Sequence, residues 1–326
     1  MSPAILIEDL TKDYAVGFWR RRPYRALDRL SLAIEPGEVF GFLGPNGAGK
    51  TTTLKLLMQL IFATSGRAEI LGRPVGEVAV KRRIGYLPEN PYFYDYLTAE
   101  ELLTYFAQLL DVPAADRRRR VSGLLDRVGI GRERRFQLRK FSKGMIQRVG
   151  IAQALLNEPE VIFLDEPMSG LDPLGRRDVR SLILELRDQG RTVFFSSHIL
   201  ADAEALCSRV AIVAGGRLAA TGRLGELAEF EIRGWELVVN NMSPAALERI
   251  RPLTTRTVEI GPGRYTLELP LTQAPATLIP EIALTGASIV SLNPLRDTLE
   301  DFFMQRIAEA GAGARRGDAG GQHAAH

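Results

Sequence analysis

Apolar positions along this chain follow two different periods. Short uninterrupted runs, Val39-Phe40-Gly41-Phe42-Leu43, Val161-Ile162-Phe163-Leu164, Thr192-Val193-Phe194-Phe195 and Val210-Ala211-Ile212-Val213, predict strands buried on both faces. Helical patterns separate them, and residues 50–61 read as the helix that follows the first run. That alternation predicts a doubly wound α/β core. Ile5-Leu6-Ile7 and Ser31-Leu32-Ala33-Ile34 predict strands of a small antiparallel subdomain, flanking a basic, aromatic loop at 16–25. Two further strands are expected at 68–71 and 83–87, the second closed by Pro88. From Thr98 to Leu156 the apolar residues recur at helical spacing, as in Leu102, Leu103, Phe106, Leu109 and Leu110, then Leu124, Leu125 and Val128. An inserted helical subdomain at about 90–156 follows from this period.

Past Gly222 the character changes. Candidate strands at 235–239, 257–260, 265–269 and 289–292 alternate with short helices, which predicts a small C-terminal α+β domain over 223–310. Its last helix, 297–310, leads into a Gly/Ala/His tail, 311–326, expected to be disordered. The preceding 1–222 form the first domain. A length of 326 residues with 45% hydrophobic content suits two globular domains.

No apolar run approaches the roughly 20 residues of a membrane-spanning helix, and the start, Met-Ser-Pro-Ala-Ile-Leu, lacks the pattern of a secretory signal. The single cysteine, Cys207, permits no internal disulfide and reads as core filler in a reducing, cytoplasmic setting. Net charge is only +3, yet residues 112–150 carry twelve Lys or Arg against three acids. Three readings of that excess stand: a solvated helix face, a surface for anionic lipid or an acidic partner, or a nucleic-acid contact.

Chemistry is concentrated where these strands end. Gly44-Pro45-Asn46-Gly47-Ala48-Gly49-Lys50-Thr51 matches the phosphate-binding pattern G-x-x-x-x-G-K-[ST] and lies between an expected strand and an expected helix. Its glycines let successive N–H groups converge on an anion, and the helix N-terminus adds partial positive charge. Lys50 is suited to the β- and γ-phosphates and Thr51 to Mg²⁺. Asp165 and Glu166 end the apolar run 161–164. Adjacent buried charges need partners, and a metal for Asp165 with a water for Glu166 supplies them. His198 ends the run 192–195, and the carboxyl ends of neighbouring strands in such a sheet share one crevice, which puts it at the γ-phosphate.

With these motifs in order the chain resembles the ATP-binding subunits of ABC transporters over roughly residues 4–222. The resemblance makes Gly44 to Thr51 the Walker A segment, with Gly44, Asn46, Gly47, Ala48, Gly49, Lys50, Thr51 and Thr52 binding nucleotide. It makes Val161 to Asp165 the Walker B segment followed by the catalytic Glu166, Ser169-Gly170-Leu171-Asp172 the D-loop, and His198 the switch histidine. Phe141-Ser142-Lys143-Gly144-Met145 stands where the family has Leu-Ser-Gly-Gly-Gln. Ser142 and Gly144 match and imply contact with the γ-phosphate held by a second copy, since family members sandwich two ATP between head-to-tail subunits. Lys143 and Met145 depart from it. Glu89 replaces the family's Q-loop glutamine, and as an oxygen donor it joins Thr51 and Asp165 around Mg²⁺.

The resemblance further implies that adenine stacks on an aromatic ring near the N-terminus. Tyr14 matches best in position, with Phe18, Trp19 and Tyr24 as alternatives nearby. The family docks on its membrane subunit just after the Q-loop, so residues 91–97 are expected either to line that groove or to pack in the core. The loop around residues 17–22 offers a second surface for headgroups or a partner. Residues 298–303 resemble the accessory segment of exporter-like members. The expectation is an ATP-hydrolysing, Mg²⁺-dependent subunit, cytoplasmic and peripheral on the inner membrane face. It acts as a homodimer on a separate integral membrane permease and drives export. No nucleic acid is expected; the rival reading is a soluble ABC ATPase acting on ribosomes or nucleic acid.

Overall fold

A computed structural model describes residues 2–16, 22–227 and 232–296. In chain order the first part comprises β1 (Ile5–Val16), β2 (Arg22–Ile34), β3 (Val39–Leu43), α1 (Lys50–Leu57), β4 (Ser65–Ile70), β5 (Arg73–Pro74), α2 (Val78–Lys81) and β6 (Ile84–Leu87). Then come α3 (Ala99–Leu109), α4 (Ala114–Arg127), α5 (Lys143–Ala154), β7 (Val161–Asp165), α6 (Pro173–Asp188), β8 (Thr192–Ser197), α7 (Leu200–Leu206), β9 (Arg209–Ala214), β10 (Arg217–Arg223) and α8 (Leu224–Leu227). The described residues form two compact units, divided after Gly225.

The central sheet of the first unit has the order β10-β9-β3-β8-β7-β6. Its inner strands run parallel, and β10 pairs antiparallel at one edge. Every residue of β3, β7 and β8 is buried, the condition that an uninterrupted apolar run signals. Phe194 is the hub, its ring 5.9 Å from Phe40, 5.2 Å from Phe42 and 5.8 Å from Phe163. A second sheet, β2-β1-β4-β5, is antiparallel and shares this core through Ile5, Ile7, Leu27, Leu30 and Ile70.

The antiparallel strands extend beyond the apolar runs that announced them. β1 reaches Val16 and β2 already begins at Arg22, because charged and aromatic residues such as Asp13, Tyr14, Tyr24 and Arg25 pair across a half-exposed ribbon. Phe18 and Trp19 lie outside the described residues, as do the expected helix 297–310 and the tail. Helix α1 stops at Leu57, short of Ile61: Gln59 takes a left-handed backbone (φ 54°) that ends the helical ladder.

The helical insertion holds α3, α4 and α5. Thr98 and Glu101 form a reciprocal capping box at the start of α3, and Ser142 caps α5 by accepting from the Met145 N–H. Asp172 caps α6 ahead of Pro173 in the same way. Much of the basic excess is internally engaged. Arg117 and Arg120 donate to the carbonyls of Val112 and Leu156. Arg127 pairs with Glu185, Arg134 with Asp126 and Arg148 with Asp178. Half-buried Cys207 follows α7, and burial pushes its thiol up.

The second unit holds β11 (Ile232–Asn240), α9 (Pro244–Ile250), β12 (Arg256–Gly261), β13 (Arg264–Pro270), α10 (Pro275–Leu284) and β14 (Ser288–Arg296). Its antiparallel order β12-β13-β11-β14 is that of a split β-α-β unit. Leu237, Val239, Leu267, Leu269, Leu278 and Ile282 give it a core of its own.

Candidate functional site

The carboxyl ends of β3, β7 and β8 open on a cavity of about 530 Å³. Asn46, Gly47, Gly49, Lys50, Thr51 and Thr52 line it from the β3–α1 turn, together with Glu89 after β6, Glu166 after β7, His198 after β8, and Tyr14 and Tyr24 from the antiparallel ribbon. Residues far apart in the chain thus meet at the crevice where a parallel sheet ordinarily binds ligands.

The β3–α1 turn is shaped for backbone approach. Gly47 and Gly49 sit at φ 80° and 106°, the left-handed region that suits glycine. Gly44 and Ala48 do not line the cavity. A Cβ on Gly44 would lie 2.4 Å from the Val213 carbonyl oxygen, so that position admits no side chain. Ala48 is buried and its carbonyl accepts from the Gly216 N–H. Lys50, 6% exposed, donates from Nζ to the carbonyls of Gly44 and Pro45 at 2.8 and 3.3 Å, and meets Glu166 Oε1 at 3.3 Å.

Glu166 adopts φ 49°, unusual for a residue with a side chain, and this turns it off the end of β7 into the site. His198 Nδ1 lies 2.9 Å from its Oε2, so one carboxylate is shared between an ammonium and an imidazole. The Glu166 N–H donates to Ser196 Oγ, and Gln147 Nε2 holds the Glu166 and Pro167 carbonyls from α5.

Asp165 is fully buried behind this wall. Ser196 Oγ donates to its Oδ1 at 2.6 Å, the Thr51 hydroxyl is close by, and Oδ2 has no hydrogen-bond partner. Burial raises its pKa above the ordinary value, against the lowering by these two hydroxyls, with Glu89 adding a like charge. The half-buried Tyr86 hydroxyl is pushed up as well, by burial first and then by the charges of Asp165 and Glu89. An orphaned carboxylate oxygen beside a threonine hydroxyl fits Mg²⁺, which takes hard oxygen donors. Among the described residues no group of three or more His, Cys, Asp or Glu side chains makes a self-contained metal cage. The fit is therefore to an ion completed by oxygens of a bound phosphate.

Tyr14 and Tyr24 face each other across β1 and β2, and Lys12 Nζ lies 5.1 Å from the centre of the Tyr14 ring. Ser142 and Gly144 line a separate cavity of about 430 Å³ with Lys143, Arg148 and Gly170, so one chain does not unite them with the β3–α1 turn. After Glu89, Phe93 packs on Phe106 at 6.3 Å, whereas Tyr92, Tyr94 and Tyr96 are exposed. Sequence reasoning missed Ser196 and Gln147. The signal for Ser196 was a hydroxyl at the end of the strand beside β7, readable only once the register pairs Asp165 with Ser196.

A family model described as ABC transporter matches residues 27–169. An uncharacterized ABC transporter ATP-binding protein of Synechocystis is 46% identical over 305 residues, covering 93% of this chain and 84% of its own. A fluoroquinolones export ATP-binding protein of Mycobacterium tuberculosis is 40% identical over 204 residues, covering 62% of this chain and 66% of its own. Among solved structures, a dimeric ATP-binding cassette in a post-hydrolysis state, bound to ADP and Pi, superposes with a TM-score of 0.63 at 25% identity, covering 68% of this chain and 98% of that one.

Proposed function

This chain belongs to the ATP-binding proteins of ABC transporters, and on that premise we propose that two copies close head to tail around two ATP molecules and power export through a separate membrane subunit. The activity is hydrolysis of ATP with Mg²⁺. The observation that carries the reading is the Glu166 carboxylate held between Lys50 and His198 on the wall of the phosphate-binding cavity.

In this reading the N–H groups of residues 46–51 and the Lys50 ammonium bind the β- and γ-phosphates, and Tyr14 stacks on the base, with Tyr24 beside it. Thr51 and Asp165, with Glu89 alongside, would hold Mg²⁺, which would supply charge neutralisation at the phosphate oxygens. Glu166 accepts a proton from the attacking water as its oxygen bonds to the γ-phosphorus. The bond to the leaving ADP oxygen breaks, and that oxygen keeps the electron pair. His198 orients Glu166 and faces the γ-phosphate. Ser142 and Gly144 reach the nucleotide of the second copy, consistent with their place in a different cavity of the single chain.

Support for a membrane partner comes from the exposed Tyr92, Tyr94 and Tyr96, an aromatic surface directly after Glu89, and no helix among the described residues is long and apolar enough to cross a membrane. The rival reading, action on ribosomes or nucleic acid, drew on the basic residues at 112–150. Five of those twelve, Arg117, Arg120, Arg127, Arg134 and Arg148, are engaged within the fold, which weakens that ground.

Glu166→Gln tests the proposal. It keeps nucleotide binding, loses about 10²–10⁴-fold in turnover, and accumulates as an ATP-bound dimer that size-exclusion chromatography resolves. Mild solubilisation of native membranes with ATP and Mg²⁺ then co-purifies a polytopic membrane protein. Normal hydrolysis by this variant, or recovery with ribosomes instead of a membrane protein, overturns the reading.

A further inference from the structure

Asp202 is a carboxylate only 2% exposed, on the first turn of α7 four residues past His198, and the hydrolysis described above makes no use of it. Arg180, from the middle of α6, donates to it from Nη2 at 2.7 Å. The guanidinium is incompletely satisfied there, because its Nε is buried without a hydrogen-bond partner. A buried ion pair recovers little more from attraction than it loses in desolvation, so apolar residues of similar volume would hold two helices together as well. What a charged pair adds is a fixed contact geometry.

The two helices lead to functionally different segments. Helix α6 follows directly on the loop 169–172, whose Asp172 side chain caps it by accepting from the Gly175 N–H at 2.8 Å. Helix α7 follows directly on His198. Its approach is a tight turn in which Ser197 Oγ accepts the Ile199 N–H at 2.9 Å. Asp202, His198, Glu166, Ser169 and Gly170 line one small cavity of about 120 Å³. His198 itself is half-exposed, with a 45% exposed side chain, so packing alone does not fix the ring.

We propose that Arg180 and Asp202 are positioning residues for hydrolysis: their ion pair anchors α7 on α6 and so keeps His198 within reach of Glu166. This inference rests on the roles given to Glu166 and His198 in the preceding subsection.

The test is a set of full-length variants assayed for melting temperature, ATP affinity and ATP turnover. Asp202→Asn is expected to bind ATP within twofold of the parent while kcat falls about tenfold, with KM unchanged. Asp202→Glu, which keeps the charge, retains most of kcat. On a His198→Ala background Asp202→Asn lowers kcat no further, because its effect passes through the histidine. Should Asp202→Asn fold poorly, Arg180→Met/Asp202→Leu replaces the whole pair with apolar groups. That double variant is expected to be folded and still slow.

Parental kcat in a folded Asp202→Asn or in the double variant overturns the inference, as does a further full tenfold loss on the His198→Ala background. Glu166→Gln measured in parallel separates the two levels. If the parent hydrolyses ATP, Glu166→Gln does not, and the pair variants match the parent, only the positioning role falls. If Glu166→Gln hydrolyses like the parent, the underlying assignment falls and takes this one with it.

Discussion

Asp165, proposed above to hold Mg²⁺, is kept at the expense of stability. It lies fully buried, satisfied on Oδ1 by Ser196, with an unpartnered Oδ2. Its pKa in the folded chain is raised, so the folded state binds this proton more tightly than the unfolded chain does. Stability attributable to this group is present at pH below the unfolded value and declines as pH rises from that value through the raised one. At neutral pH, above the unfolded value, this group therefore lowers the stability of the nucleotide-free protein. Asp165→Asn, close in shape, is expected to raise the melting temperature without nucleotide, by about 2–4 °C per kcal/mol regained, while Mg²⁺-dependent turnover collapses. Thermal melts at pH 7 with and without Mg²⁺ and ATP check both halves; an unchanged or lowered melting point for the apo variant contradicts this account of Asp165. Glu166 pays a related penalty in backbone form, since its φ of 49° is what brings its carboxylate back to Lys50 and His198.

At the scale of elements, local signals set where helices begin and close packing sets what the strands tolerate. Thr98, Ser142 and Asp172 are each the polar residue just before a helix, and each accepts a backbone N–H as a cap. These starts are legible from sequence because capping involves residues three apart. The β6 strand is different. A Cβ on Gly85 would come 2.0 Å from the Ala154 carbonyl oxygen at the end of α5, whereas one on Gly123 in α4 meets nothing within 4 Å. Gly85→Ala is expected to destabilise by about 1–3 kcal/mol through overpacking, and Gly123→Ala to stabilise by about 0.5–1 kcal/mol through helix propensity. Urea unfolding distinguishes them, and similar midpoints for the two variants exclude this packing account. No reading of the glycines in sequence separates these two positions, since the carbonyl that decides the matter lies 69 residues further along the chain.

For the whole molecule, no sheet is shared between the units and each has its own core, the second built around Leu237, Leu267 and Ile282. All residues proposed to bind nucleotide lie in the first. Calorimetry of Glu166→Gln is therefore expected to show two transitions, and ATP with Mg²⁺ at a hundred times its Kd stabilises the first by about 2.7 kcal/mol. The second transition should stay in place. A single transition that shifts as one would mean that the units unfold cooperatively, against the independence their separate cores imply.

The amino-acid sequence alone determined those features that depend on neighbours along the chain. The buried strands announced themselves as unbroken apolar runs, and the turn proposed to bind phosphate as glycines between a strand and a helix with Lys50 and Thr51 at its end. Asp165, Glu166 and His198 were visible as polar residues at strand ends. The edges of the antiparallel ribbon were not, because β1 and β2 are half-exposed there and their residues follow no apolar run. Tertiary structure alone decided which distant groups meet. Strand order put Ser196 against Asp165, and helix packing put Arg180 against Asp202. It also engaged part of the basic stretch, Arg117, Arg120, Arg127 and Arg148, with carbonyls and carboxylates of the fold, and it set Ser142 apart from Lys50. The physical reason is that backbone propensity and capping act over a few residues, whereas hydrogen bonds between elements depend on a register and a packing that no short stretch of sequence encodes.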